Sequence, residues 1–163
     1  MAVPHLSQVK VSVQNVSKAY WTQNGKRMEV LHDVAFDVFE QEFLCVIGPN
    51  GCGKTTLLRL IAGLDTPDSG KVLIDREEAK AGKAGMIFQE FSLFPWRRVI
   101  DNVRFGLEIR RIEEDVSYRI AEKYIDLVGL SEFKQAYPHE LSEGMKQKVA
   151  IARALVTLSL IHI

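Results

Sequence analysis

An α/β fold is predicted for this chain of 163 residues from three observations. Alternating apolar and polar residues dominate the first half, the pattern of half-buried strands. One run, Phe43-Leu44-Cys45-Val46-Ile47, is apolar throughout and leads into a glycine-rich turn and a helical pattern. That is how a central parallel strand, buried on both faces, precedes its helix. The second half repeats apolar residues at spacings of three and four, the helical period. With 47% hydrophobic and 26% charged residues, the composition is that of an ordinary globular chain and excludes disorder as its main state.

The elements follow in order. Val9, Val11 and Val13 alternate with Lys10, Ser12 and Gln14 and read as the first strand. Asn24-Gly25 marks a turn, and Val34, Phe36 and Val38 alternate in the second strand. The apolar run from Phe43 to Ile47 is the next. A helix is expected from about Lys54 to Ala62, with Gly63 as its stop. Pro67-Asp68-Ser69-Gly70 is a turn before a short strand over Lys71 to Ile74, and another strand is expected near Gly85 to Phe88. Beyond Pro95 the character becomes helical. Val116, Ile120, Tyr124, Leu127 and Val128 define one helical face. Met145, Val149, Ala152 and Val156 define another, with Ser142 as its N-cap. Each stripe reads as core. Residues 1–157 form one expected domain, strand-rich to about residue 90 and helical from about 91 to 157.

Charge narrows the function classes. Twenty-one Lys and Arg balance 21 Asp and Glu, so the basic footprint of a nucleic-acid binder is absent and no nucleic-acid partner is expected. No stretch approaches the ~18 to 20 apolar residues that membrane spanning requires. The opening Met1-Ala2-Val3-Pro4-His5 lacks a basic segment followed by an apolar core, so no secretory signal is read there. Cys45 and Cys52 give no disulfide framework and point to a reducing compartment. His5, His32 and His139 are isolated and read as solvated or structural.

The chemistry lies in Gly48-Pro49-Asn50-Gly51-Cys52-Gly53-Lys54-Thr55, which matches G-x-x-x-x-G-K-[ST], the P-loop pattern. Glycines let the backbone curl so that successive N–H groups point at phosphate oxygens. The helix beginning near Lys54 adds its positive end. Lys54 offers a mobile charge to the β- and γ-phosphates, and Thr55 a hydroxyl to Mg²⁺. Thr56 extends the same site on the helix. A buried strand before the motif and an apolar helix after it, Leu57-Leu58-Arg59-Leu60-Ile61, supply the expected context.

Three later segments share an order with the P-loop: Leu64-Asp65-Thr66-Pro67-Asp68-Ser69-Gly70, Phe88-Gln89-Glu90 and Leu141-Ser142-Glu143-Gly144-Met145. The tail Lys146-Gln147-Lys148-Val149-Ala150-Ile151-Ala152-Arg153-Ala154-Leu155 follows them. In this order and spacing the chain resembles the ATP-binding subunits of ABC transporters over nearly its whole length. Leu-Ser-Glu-Gly-Met, together with Leu93-Phe94-Pro95-Trp96-Arg97, is similar to the nitrate, sulfonate and taurine group of bacterial importers. The resemblance implies a P-loop NTPase core with an N-terminal antiparallel β-subdomain and an inserted helical signature subdomain. It implies that Tyr20, or its neighbour Trp21, stacks on adenine, and that Gln89 ligands Mg²⁺ and reports occupancy. Lys54 and Gln89 are then the catalytic residues present. Ser142, Glu143, Gly144 and Met145 would meet ATP held by a second protomer in a head-to-tail homodimer. Glu143 and Met145 depart from the common Leu-Ser-Gly-Gly-Gln form, and a carboxylate beside a triphosphate repels unless it points away. The segment Phe91 to Trp96 is expected either to dock a helix of a transmembrane permease subunit or to pack inside the helical part.

The resemblance further implies a peripheral protein at the cytoplasmic face of a bacterial membrane, working with permease subunits and, indirectly, a periplasmic or lipoprotein solute-binding protein. It also implies a later apolar strand ending in Asp-Glu, and a switch histidine, neither of which occurs among these residues. The fold is therefore expected to be incomplete at the C-terminus, with the run from Phe43 to Ile47 left unpaired and prone to aggregate, and the chain hydrolysis-deficient. Leu158-Ser159-Leu160-Ile161-His162-Ile163 resembles the translation of a transposon end, CTG TCT CTT ATA CAC ATC, and residues 158–163 are expected to be a non-native tail. The other functional classes are a soluble ABC-type ATPase, or a nucleotide-binding module without a membrane partner.

Overall fold

Two long strands open the chain: β1 (Val9–Trp21) and β2 (Arg27–Phe39) pair antiparallel. This is a computed structural model that describes residues 8–159 of the chain, with side chains to residue 157. The turn falls at Asn24-Gly25 as expected, with Gly25 at φ 70° and the Lys26 amide donating to Thr22 Oγ1. Strand β3 (Ser69–Ile74) pairs antiparallel with the other edge of β1, and β4 (Glu77–Glu78) completes a sheet of order β2-β1-β3-β4. Val13 faces Phe36 on one side and Val72 on the other. Gly70 is required where β3 approaches β1: its φ is 75°, and a Cβ there would lie 2.2 Å from the Asn15 carbonyl oxygen.

Helix α1 (Lys54–Ile61) lays Leu57 and Leu60 on Val13, Val16, Leu31 and Val72. That apolar contact explains why the helix forms where the 3.6-residue pattern begins. These elements belong to the first of two units into which the chain divides, 1–84 and 85–163.

Two strand expectations are corrected. Residues 43–47 carry no strand, and Phe43 and Ile47 are 92% and 89% exposed. A run of apolar residues becomes a central strand only when neighbours supply ladders on both sides, and the described sheet, wholly antiparallel in the order β2-β1-β3-β4, gives residues 43–47 no partner. Residues 85–88 likewise form no strand, and Ile87 and Phe88 are exposed.

The second unit is helical: α2 (Val99–Ile109), α3 (Glu114–Leu127) and α4 (Glu143–Ser159). Its core joins Val99, Ile100, Val103 and Leu107 with Ala121, Ile125, Val149, Ala152 and Val156. The α4 stripe is buried as the spacing predicts. The α3 stripe is rotated by one residue: Ser117, Ala121 and Ile125 are its buried line, while Leu127 is 70% exposed. Small residues at 117 and 121 let α3 approach its neighbours, so close packing decides the face over side-chain bulk. Helices α2 and α4 cross so closely at Gly106 that a Cβ there would lie 2.1 Å from Thr157 Cγ2. The expected tail lies outside the described residues, apart from the backbone of 158–159 at the end of α4.

Candidate functional site

The P-loop residues 48–53 leave the exposed run 43–47 and curl into α1. Gly51 and Gly53 adopt φ of 82° and 96°, where a side chain is strained. At Gly53 there is also no room: a Cβ would lie 2.8 Å from both the Val30 carbonyl oxygen and Leu31 Cδ2. Gly53 is thus fixed by its fit against β2 as well as by its backbone. The curl folds back on itself, with the Cys52 amide donating to the Pro49 carbonyl.

Lys54 lies within that curl. Its Nζ donates to the carbonyl oxygens of Gly48 at 2.8 Å and Pro49 at 2.7 Å, and stands 3.7 Å from Cys52 Sγ. Cys52 and Cys45 are both exposed thiols. Thr55 is exposed on the first turn of α1, and Thr56 beside it is half-buried. The N-terminus of α1 and the Lys54 ammonium meet at this loop, donors suited to a polyanion.

Tyr20 and Trp21 separate clearly in their surroundings. Trp21 is 74% exposed at the end of β1. Tyr20 is half as exposed, and its hydroxyl donates to Asp65 Oδ2 at 2.6 Å. Lys18 lies over the ring, 5.2 Å from its centroid, and donates to Asp65 Oδ1 at 2.9 Å and the Thr66 carbonyl at 2.6 Å.

These bonds set the charges. Donation from Tyr20, then from Lys18, holds the Asp65 carboxyl down at about 2. The same carboxylate pushes the Tyr20 phenol and the Lys18 ammonium up. Asp65 is the residue that sequence reasoning missed as a contributor. It stood in the quoted Leu64-to-Gly70 segment, but nothing in its spacing links it to a strand 45 residues earlier.

In the second unit, Gln89 is exposed in a bend. The following segment is held from three sides. Asn102, fully buried in α2, accepts from the Phe94 amide at 2.8 Å and donates to the carbonyls of Phe94, Arg97 and Arg98. Arg153 of α4 donates to the carbonyls of Phe91 and Ser92, and burial pushes its guanidinium pKa down. Arg97 pairs with Glu108 at 2.7 Å and stacks over Phe94 and Phe105. Packing inside the helical part, one of the two expectations for the segment, holds for three of its aromatic and aliphatic side chains. Phe91, Leu93 and Phe94 are half-buried, and Trp96 is 71% exposed.

Ser142 caps α4: its hydroxyl accepts from the Met145 amide at 3.3 Å, and its carbonyl from the Lys146 amide. Glu143 is exposed in the first turn, where a negative charge suits the helix dipole. Ser142, Glu143 and Gly144 are exposed and a Cβ on Gly144 would meet nothing within 4 Å, so the first turn of α4 is open to solvent. Met145 packs against the helical core, which gives that departure from the common signature a structural role. The sequence-predicted residues therefore fall into two groups. Tyr20 and residues 48–56 lie in the first unit, and Gln89 and residues 142–145 in the second.

A glycine-rich loop entering a helix beside an antiparallel sheet, followed by a helical unit, defines a P-loop nucleotide-binding protein. The chain belongs to the ABC transporter family, whose model matches residues 31–163. It is 51% identical over 150 residues to an uncharacterized ABC transporter ATP-binding protein of Methanocaldococcus jannaschii, covering 91% of this chain and 56% of that one. It is 49% identical over 135 residues to the nitrate import ATP-binding protein NrtD of a Synechocystis strain, covering 80% and 51%. Aliphatic sulfonate and taurine import ATP-binding proteins are also similar. Among solved structures, a dimeric bacterial ABC transporter cassette superposes with a TM-score of 0.82 at 30% identity, covering 91% of this chain and 70% of that one. The chain spans about half the length of the curated relatives it matches. No helix of the described residues is long and apolar enough to cross a membrane.

Proposed function

We propose that this chain is the nucleotide-binding part of an ATP-hydrolysing subunit of an ABC importer, one that powers uptake of a small anion such as nitrate, a sulfonate or taurine. The observation that carries the reading is Lys54: its ammonium is held inside the glycine-rich curl by two loop carbonyls, where it can exchange them for phosphate oxygens. Residues 48–56 bind the triphosphate, and the Tyr20 ring receives the adenine. Thr55 would hold Mg²⁺, which neutralises phosphate charge when bound. Ser142 to Met145, at the open N-terminus of α4, meet the nucleotide of a second copy in a head-to-tail dimer.

The partners follow from the same reading. Permease subunits at the cytoplasmic face of a membrane receive the segment around Trp96, and a solute-binding protein delivers the anion to them. The names of the curated relatives support the importer group. The Asp-Glu pair expected of the family is not among these 163 residues, so the property assigned to this stretch is nucleotide binding, and turnover belongs to the whole protein.

Titration calorimetry with MgATP tests the reading. A hydrogen bond to a charged group contributes roughly 1.5 to 3 kcal/mol, so Lys54→Ala should weaken binding about tenfold or more. Unchanged affinity in a folded Lys54→Ala variant would falsify the phosphate site.

A further inference from the structure

Nothing in the motifs explains the bonds that surround Tyr20. Its hydroxyl gives its proton to Asp65 at 2.6 Å, and the other oxygen of that carboxylate takes Lys18 at 2.9 Å. Lys18 is fixed in turn by the Thr66 carbonyl, and its ammonium lies over the Tyr20 ring. Asp65 also accepts from the Thr66 amide, so its own carboxylate is held by the loop that bears it. Lys18 is a largely buried cation, and such a charge is retained only when paired. Every element of the group lies in the first unit, on β1 and the loop that follows α1.

An aromatic ring on a strand end ordinarily samples rotamers, and a ligand that stacks on it must immobilise it. Here the ring is anchored before any ligand arrives. We infer that Asp65 is a positioning residue for base recognition: by holding the Tyr20 hydroxyl it presets the ring, so that it stacks on adenine through the face that Lys18 leaves open. The inference rests on the proposed role of Tyr20 as the adenine contact. Asp65 touches no nucleotide in this arrangement and acts through Tyr20 alone. The P-loop contacts to phosphate are independent of it.

Two ligands separate these effects. MgATP reports base and phosphates, and magnesium tripolyphosphate reports phosphates alone. By calorimetry, Asp65→Asn and Tyr20→Phe should each weaken MgATP on the order of two- to tenfold and leave tripolyphosphate within about twofold. The double variant should be no weaker than the weaker single variant, because both remove one contact. Equal losses on the two ligands would make Asp65 merely structural and overturn the inference, as would additive losses or undiminished MgATP affinity. If Asp65→Asn does not fold, Tyr20→Phe decides by the same ligand comparison. Tyr20→Ala distinguishes the underlying reading. If it does not change the ratio of the two affinities, adenine is not on Tyr20 and both ideas fall. If it removes the preference for ATP while Asp65→Asn and Tyr20→Phe do not, only the role of Asp65 falls.

Discussion

Asp65 makes the first unit sensitive to pH at both ends of the scale. Its carboxyl sits at about 2 in the fold against an ordinary 3.8, so it stabilises the native state at neutral pH. That contribution is present above pH 3.8 and is lost as pH falls toward 2. Lys18 and Tyr20 are raised above 10.5 and 10.0. Their contribution is complete below those values and is lost as pH rises through the raised ones. Thermal unfolding followed by circular dichroism should therefore decline below about pH 4 and above about pH 10. Asp65→Asn should flatten both limbs, and two limbs as steep as in the parent would exclude this carboxylate as their source. At this scale the sequence was informative where a motif fixes spacing, as in Gly48 to Thr55. It was silent on Asp65, whose partners meet it only through the pairing of β1 with β3.

At the scale of elements, periodicity located β1, β2, α1, α3 and α4, because each buries one face on a neighbour. It placed the buried line of α3 one residue off, since Ser117 and Ala121 are favoured for closeness and not for hydrophobicity. It misassigned residues 43–47, because an apolar run records the need for burial without recording where the cover comes from. The crossing of α2 and α4 was invisible for a related reason: the fit of Gly106 against Thr157 exists only between two helices. Gly106→Ala should destabilise the second unit by about 1–3 kcal/mol through overpacking, measured by urea denaturation. Thr157→Ser removes the offending methyl while keeping the hydroxyl that donates to the Ala154 carbonyl, and should restore most of the loss. A double variant as unstable as Gly106→Ala would show that the crossing tolerates the added methyl and fails elsewhere.

For the whole molecule, the exposed run around Phe43 and Ile47 governs behaviour in solution. A contiguous apolar segment open to water recruits other chains. The 163-residue chain should therefore self-associate with rising concentration in light scattering. Phe43→Ser with Ile47→Ser should reduce that association without loss of helical signal, and an unchanged scattering profile would move the sticky surface elsewhere.

The Asn102 clamp has a further consequence for whatever meets Trp96. Four hydrogen bonds from one buried amide set the backbone from Phe94 to Arg98, and Phe94 lies 5.7 Å from the Trp96 ring centroid. A partner docking on Trp96, as proposed, would find a backbone already ordered by folding. Recognition there spends little of its interaction on ordering the backbone, so a small contact area can suffice for a bond that forms and breaks repeatedly.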